Sequence, residues 1–111
     1  MAAPLHEQRC VACKPGSPHL SPEEIEELLG QVDGWTVEEP DSHFRLAKVF
    51  KFRGFMPGIE LVNRIAAIAE AEKHHPDLLV GYGSVTAWLT THAAGGITQN
   101  DFILAAKIDR L

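Results

Sequence analysis

The sequence predicts an α+β domain, and three observations carry the prediction. Capped segments with helical apolar spacing interrupt runs with strand-like alternation, in the order helix, strand, strand, helix, strand or strand pair, helix. The first two strand-like runs are joined only by turn residues, as in an antiparallel hairpin. A length of 111 residues with 45% hydrophobic content supports one compact core and is too short for two domains.

Residues 1–20 carry three prolines, one glycine and no periodic pattern, and are expected to form an irregular arm ahead of a single domain at 21–111. The run Ser21-Pro22-Glu23-Glu24 is a helix start: Ser as N-cap, Pro in the first turn, Glu three residues after the cap. Ile25, Leu28 and Leu29 form the apolar stripe, and Gly30 ends the helix. Trp35 to Glu38 alternates as a short strand, and Pro40-Asp41-Ser42 is turn chemistry. His43 to Phe52 reads as the second strand, with a bulge where alternation breaks near Ala47 and Lys48.

Gly54 to Lys73 is the longest helical segment, closed by Pro76. Phe55, Ile59, Val62, Ala66 and Ala69 line one face, and Leu61, Ile65 and Ile68 line a second. A domain this small has little interior to hide both faces, so part of the helix is expected to pack on another subunit. From Ser84, Val85, Ala87 and Leu89 point one way, while Thr86, Trp88, Thr90 and His92 point the other. After the Gly95-Gly96 turn, Thr98 to Asp101 is a capping box with Asp in place of Glu, opening a last helix with Phe102, Ile103, Ala106 and Ile108 inward.

Net charge is −5 and the basic residues are scattered, so no electrostatic footprint for nucleic acid exists. No apolar run is long enough for a bilayer span, and the N-terminus lacks signal-peptide order, so the expected location is cytoplasmic. Cys10 and Cys13 form one C-x-x-C. A structural zinc site needs four ligands and no second Cys pair exists. The prolines that follow do not suit a thioredoxin-like helix start, so the plainer expectation is two reduced thiols on a mobile arm.

The chemistry concentrates in Glu70-x-x-x-His74-His75-Pro76-Asp77. Imidazole can give or take a proton near neutral pH. Glu70 and His74, four apart, would share a helix face, so Glu70 is expected to orient His74 while His75 leaves the helix. His92, at the end of the long strand, is the third candidate, and Tyr82 and Trp88 could offer flat surfaces to an aromatic ring. Singly, such residues are more often caps, surface or packing; together they form a constellation.

Glu70, His74-His75-Pro76, Tyr82, Thr91-His92 and Asp101 resemble, in residue type and spacing, the signature of pterin-4a-carbinolamine dehydratases. The resemblance covers 21–111 and includes Trp35 near the first strand. It implies a four-stranded antiparallel sheet with helices on one face, in the order α-β-β-α-β-β-α. It also implies a homodimer or homotetramer built through the 54–73 helix and the sheet edge. The implied reaction is loss of water from a 4a-hydroxytetrahydropterin to give a quinonoid dihydropterin, recycling the cofactor of aromatic amino acid hydroxylases, with no metal or organic cofactor. By resemblance His74, His75 and His92 are catalytic, while Glu70, Tyr82, Thr91, Asp101 and Trp35 bind or orient. Leu78, Leu79 and Trp88 depart from the family pattern. Two rivals remain: a non-enzymatic dimerisation, coactivator or pterin-binding module on the same fold, and a metalloprotein using the histidines.

Overall fold

A computed structural model describes residues 3–111. The elements are α1 (Pro22–Leu29), β1 (Thr36–Glu38), β2 (Arg45–Lys51), α2 (Met56–Glu72), β3 (Asp77–Gly81), β4 (Ser84–Leu89) and α3 (Gln99–Ile108), with single 3-10 turns at Leu5–Glu7 and His92–Ala94. The four strands form one antiparallel sheet in the order β1-β2-β4-β3. The fold is therefore the expected α+β arrangement, with a strand pair rather than one long strand after α2.

Local chemistry explains the boundaries. Ser21 caps α1 through a reciprocal box with Glu24, whose carboxyl is held below its usual range chiefly by the Ser21 backbone N–H. Gly54 has φ 100°, a left-handed conformation that cannot open a helix, so α2 begins two residues later than its apolar pattern suggests. α2 also ends before Pro76 takes effect: Lys73 turns left-handed at φ 55°, and the His74 N–H donates to the Ala69 carbonyl at 3.2 Å. That 6→1 bond, with Lys73 N–H to the Glu70 carbonyl, is a Schellman close.

The expected bulge at Ala47 and Lys48 is absent. β2 pairs with β4 without interruption from Leu46↔Leu89 to Lys51↔Ser84. Alternation breaks in the sequence because Lys48 occupies an inward position on a buried stem. Its ammonium lies 4.9 Å from the Phe50 ring centroid and ends on Asp109 Oδ1 at 2.8 Å and the Asp33 carbonyl.

Leu46, Ala87 and Leu89 from the sheet share one core with Ile25, Ile65, Phe102, Leu104 and Ile108 from the helices. α3 is buried nearly all round, from Asn100 through Ala106 and at Ile108. Its outer side is covered by the N-terminal segment, where Leu5 is buried and Lys107 donates to the His6 carbonyl at 3.0 Å. α2 differs: only Gly58, Ile65 and Ala69 are buried, while Phe55 and Met56 are 45% and 60% exposed. Leu61, Ile65 and Ile68 pack on the core, while the face of Phe55, Ile59, Val62 and Ala66 is only partly covered by the described residues. Among the described residues, no helix is long and apolar enough to cross a membrane.

Candidate active site

The Schellman close decides where the paired histidines go. Because the chain reverses at Lys73, His74 is no longer in helical register with Glu70. His74 turns inward and its Nε2 meets Asp101 Oδ1 at 2.6 Å, across from the first turn of α3. His75 turns outward, and it is His75 whose Nε2 meets Glu70 Oε1 at 2.6 Å. The expectation that Glu70 orients His74 is corrected: i,i+4 spacing holds only while both residues are helical, and the left-handed Lys73 lies between them.

Asp101 is wholly buried, and both its oxygens are used. Oδ1 accepts from His74, while Oδ2 accepts from the Thr98 N–H at 2.9 Å and the Thr91 hydroxyl at 2.8 Å. Thr91 Oγ1 and Thr98 Oγ1 are 2.8 Å apart, which completes a buried polar cluster. The carboxylate that closes the α3 capping box thus also fixes a histidine from another element. An ionised carboxylate only accepts, so, paired with one, His74 donates from Nε2, and Nδ1 is the ring nitrogen left over.

His92 sits on the 3-10 turn that follows β4, closed by Gly95 in a left-handed conformation at φ 71°. It is exposed. A cavity of about 370 Å³ is lined by His74, His75 and His92, together with Thr90, Thr91, Glu72 and Lys73. The size suits a small heterocyclic ligand. A second hollow of about 290 Å³ shares Thr90, Thr91 and His92 with it and is completed by His43, Arg45 and Asp77.

Two expected site residues do not join this cluster. Trp35 is a core residue, 6% exposed, whose indole N–H donates to Asp109 at the C-terminal end of α3. It ties β1 to α3 and lines neither hollow. Tyr82 is 78% exposed at the β3–β4 turn. The hairpin register runs from Asp77↔Trp88 beside the histidines to Gly81↔Ser84 at the far end. At about 3.3 Å per residue, that leaves Tyr82 roughly 15 Å from the cavity.

Sequence reasoning missed Asn100, Thr98 and Glu72, and it did not foresee Cys10 and Cys13 on the cavity wall. The capping-box pattern at Thr98 and Asp101 was a usable signal, since its Asp has a second oxygen to offer. The Glu72 side chain is only 6% exposed and accepts from the Cys10 N–H at 2.8 Å and Arg9 Nε at 2.9 Å. Its carboxyl is held below the usual range, first by the Cys10 N–H and then by Lys107 and Arg9, against the opposing effect of burial. The Cys10 thiol is pushed up to about 12 by burial and by the carboxylates of Glu72 and Asp101. It is a neutral thiol, unsuited to exchange chemistry. Among the described residues, no group of three or more His, Cys, Asp or Glu is arranged to hold a metal ion.

Comparison with known proteins bears on this geometry. The sequence model of the family described as "Pterin 4 alpha carbinolamine dehydratase" matches residues 18–111. The chain is 44% identical over 107 residues to a protein of Rubrobacter xylanophilus, covering 96% of this chain and 97% of that protein. It is 43% identical over 107 residues to one of Nitrosococcus oceani, covering 96% and 95%. The name assigned to both relatives is pterin-4-alpha-carbinolamine dehydratase. A crystal structure described as a transcriptional coactivator/pterin dehydratase from Brucella melitensis superposes with a TM-score of 0.76 at 29% identity, over 83% of this chain and 96% of that one.

Proposed function

The chain belongs to the pterin 4 alpha carbinolamine dehydratase family, and on that premise we propose that it dehydrates a 4a-hydroxytetrahydropterin by histidine acid–base catalysis. One observation carries the proposal: His74, His75 and His92, from two separate stretches of chain, line one cavity of ligand size. In the reaction the C4a–O bond breaks, and the oxygen leaves as water after taking a proton from a general acid. The N5 proton passes to a general base, and the C4a–N5 double bond of the quinonoid dihydropterin forms. No electron is transferred to or from the substrate.

His74 is the base. In that role it acts as the tautomer whose Nε2–H is donated to Asp101, which leaves the Nδ1 lone pair to take the proton. The acid comes from His75 and His92, whose greater exposure lets them reload from water. Thr91 and Asp101 position His74 rather than touch the substrate. The product suits recycling of the tetrahydropterin used by aromatic amino acid hydroxylases.

The test is a dehydration assay in which a hydroxylase generates the carbinolamine in place and its decay is followed by absorbance. Wild type should accelerate decay, and His74→Ala and His92→Ala should each lower the rate by about 10²–10⁴-fold while remaining folded. A folded wild type that leaves the uncatalysed rate unchanged would sink the proposal.

Two observations support a second, compatible role as a dimerisation module. The Brucella relative's description pairs coactivator with dehydratase, and α2 carries an only partly covered apolar face with Phe55 and Met56 exposed. We propose that this face and the β3 sheet edge make a homodimer or homotetramer. Light scattering should give a multiple of 12.2 kDa, and Met56→Glu with Val62→Glu should dissociate it.

A further inference from the structure

The C-x-x-C segment lies outside the residues the family model matches, yet it is docked beside the histidines. Cys10, Val11, Ala12 and Cys13 are consecutive, and all four line the histidine cavity. They are held by side chains from the two helices that form the site. The Cys10 N–H donates to Glu72 Oε1 at the end of α2. Asn100, 7% exposed in the first turn of α3, grips Val11 at both backbone groups: Oδ1 accepts from the Val11 N–H at 2.9 Å, and Nδ2 donates to the Val11 carbonyl at 2.5 Å. This amide mimics a strand neighbour. Asn100 also engages both thiols: its backbone carbonyl accepts from Cys10 Sγ at 3.6 Å, and Nδ2 lies 3.5 Å from Cys13 Sγ.

Further along, the Gly16 N–H donates to the Ala93 carbonyl at 3.1 Å, next to His92, and the Leu20 N–H donates to Ile97 at 2.8 Å. A Cβ on Gly96 would come within 3.2 Å of His19, so the glycine is what lets the segment lie this close. The segment is thus pinned on both sides of the cavity, at α2–α3 and at the His92 turn. Its two sulfurs contribute soft surface, and Cys10 stays protonated at neutral pH.

We propose that residues 10–13 are a fixed wall of the pterin cavity, that they contact the bound pterin, and that Asn100 is the positioning residue that sets the wall; this rests on the dehydratase reading above. The wall narrows the cavity over the histidines, so its main effect falls on substrate binding and on the tolerance for bulky ring substituents. The thiols serve as packing surface.

The experiment uses the full chain and combines thiol labelling by a maleimide with dehydration kinetics. In wild type, 7,8-dihydropterin should slow labelling of Cys13; the Cys10 thiol, which burial keeps protonated, is not the reporter. Asn100→Ala should speed labelling without ligand and raise KM by roughly tenfold with kcat little changed, as expected for losing a hydrogen bond of ordinary net strength. Should Asn100→Ala fail to fold, Ala12→Trp reads the same wall from the exposed arm side, and it should lower kcat/KM by about tenfold by filling the cavity. Wild-type activity with no thiol protection by the pterin, or with Asn100→Ala matching wild type in labelling and KM, would overturn the wall. A wild type without dehydratase activity fails the underlying reading instead, and labelling of Asn100→Ala without ligand still reports whether Asn100 pins the segment.

Discussion

The two histidine–carboxylate pairs have the same contact length and opposite surroundings. His74–Asp101 and His75–Glu70 are both 2.6 Å, but the side chains are 12% and 0% exposed in the first pair and 58% and 79% in the second. In the first, the carboxylate also serves Thr91 and Thr98, so removing it strands three donors away from water. In the second, water can replace either partner, and salt screens the attraction. Distance alone therefore does not rank the pairs; burial and shared partners do.

The sharpest way to break the comparison is Asp101→Ala. It should destabilise the fold by about 3–5 kcal/mol in urea unfolding, the usual consequence of removing one member of a buried pair. A loss below ~1 kcal/mol would mean that the two pairs are energetically alike.

Asp101→Asn should be milder on stability and still severe on rate. An amide retains the shape, but it does not fix His74 as the Nε2–H tautomer, so kcat should fall by about 10²-fold or more while the unfolding midpoint moves less than in Asp101→Ala. Equal rates for Asp101→Asn and wild type would remove His74 tautomer control from the mechanism.

Acid offers a third handle. The Glu72 carboxyl is shielded too, though Glu72 as a whole is only half-buried, and it holds the N-terminal segment rather than a histidine. Its folded-state value is lowered, so its stabilisation is fully present above the unfolded value and is lost as pH falls through the folded one. Melting temperature should therefore drop below about pH 4.3 more steeply in wild type than in Glu72→Gln. Parallel pH curves for the two proteins would show that the Glu72 contacts add no linked stability.

The smallest effect belongs to Glu70→Gln. The exposed pair should contribute no more than about 0.5 kcal/mol, and raising salt should erase that difference in denaturant melts. A stability loss matching Asp101→Ala would erase the contrast between the pairs.

How much of this was legible in the sequence follows sequence separation. The helix starts at Ser21 and Thr98, the strand alternation from Val85 to Leu89 and the histidine pair are local patterns, and each survives in the fold. The bulge at Lys48 was a false local reading, because a lysine can hold an inward position when its charge is met elsewhere, here by Asp109. Tyr82 and Trp35 were drawn into the site by a spacing pattern, which cannot say how far along a hairpin or into a core a side chain lies.

The sequence by itself determined the order of elements, the α+β class and which imidazoles were available, because these rest on periodicity and residue chemistry within a few positions of each other. Only the tertiary structure decided that Asp101, 27 residues from His74, holds it, that Glu70 serves His75 instead, and that Cys10 to Cys13 wall the cavity through Asn100, 89 residues from Val11. The physical reason is that partner choice turned on one left-handed residue, Lys73, and on the docking of the N-terminal segment against α3. Neither leaves a periodic trace in the sequence.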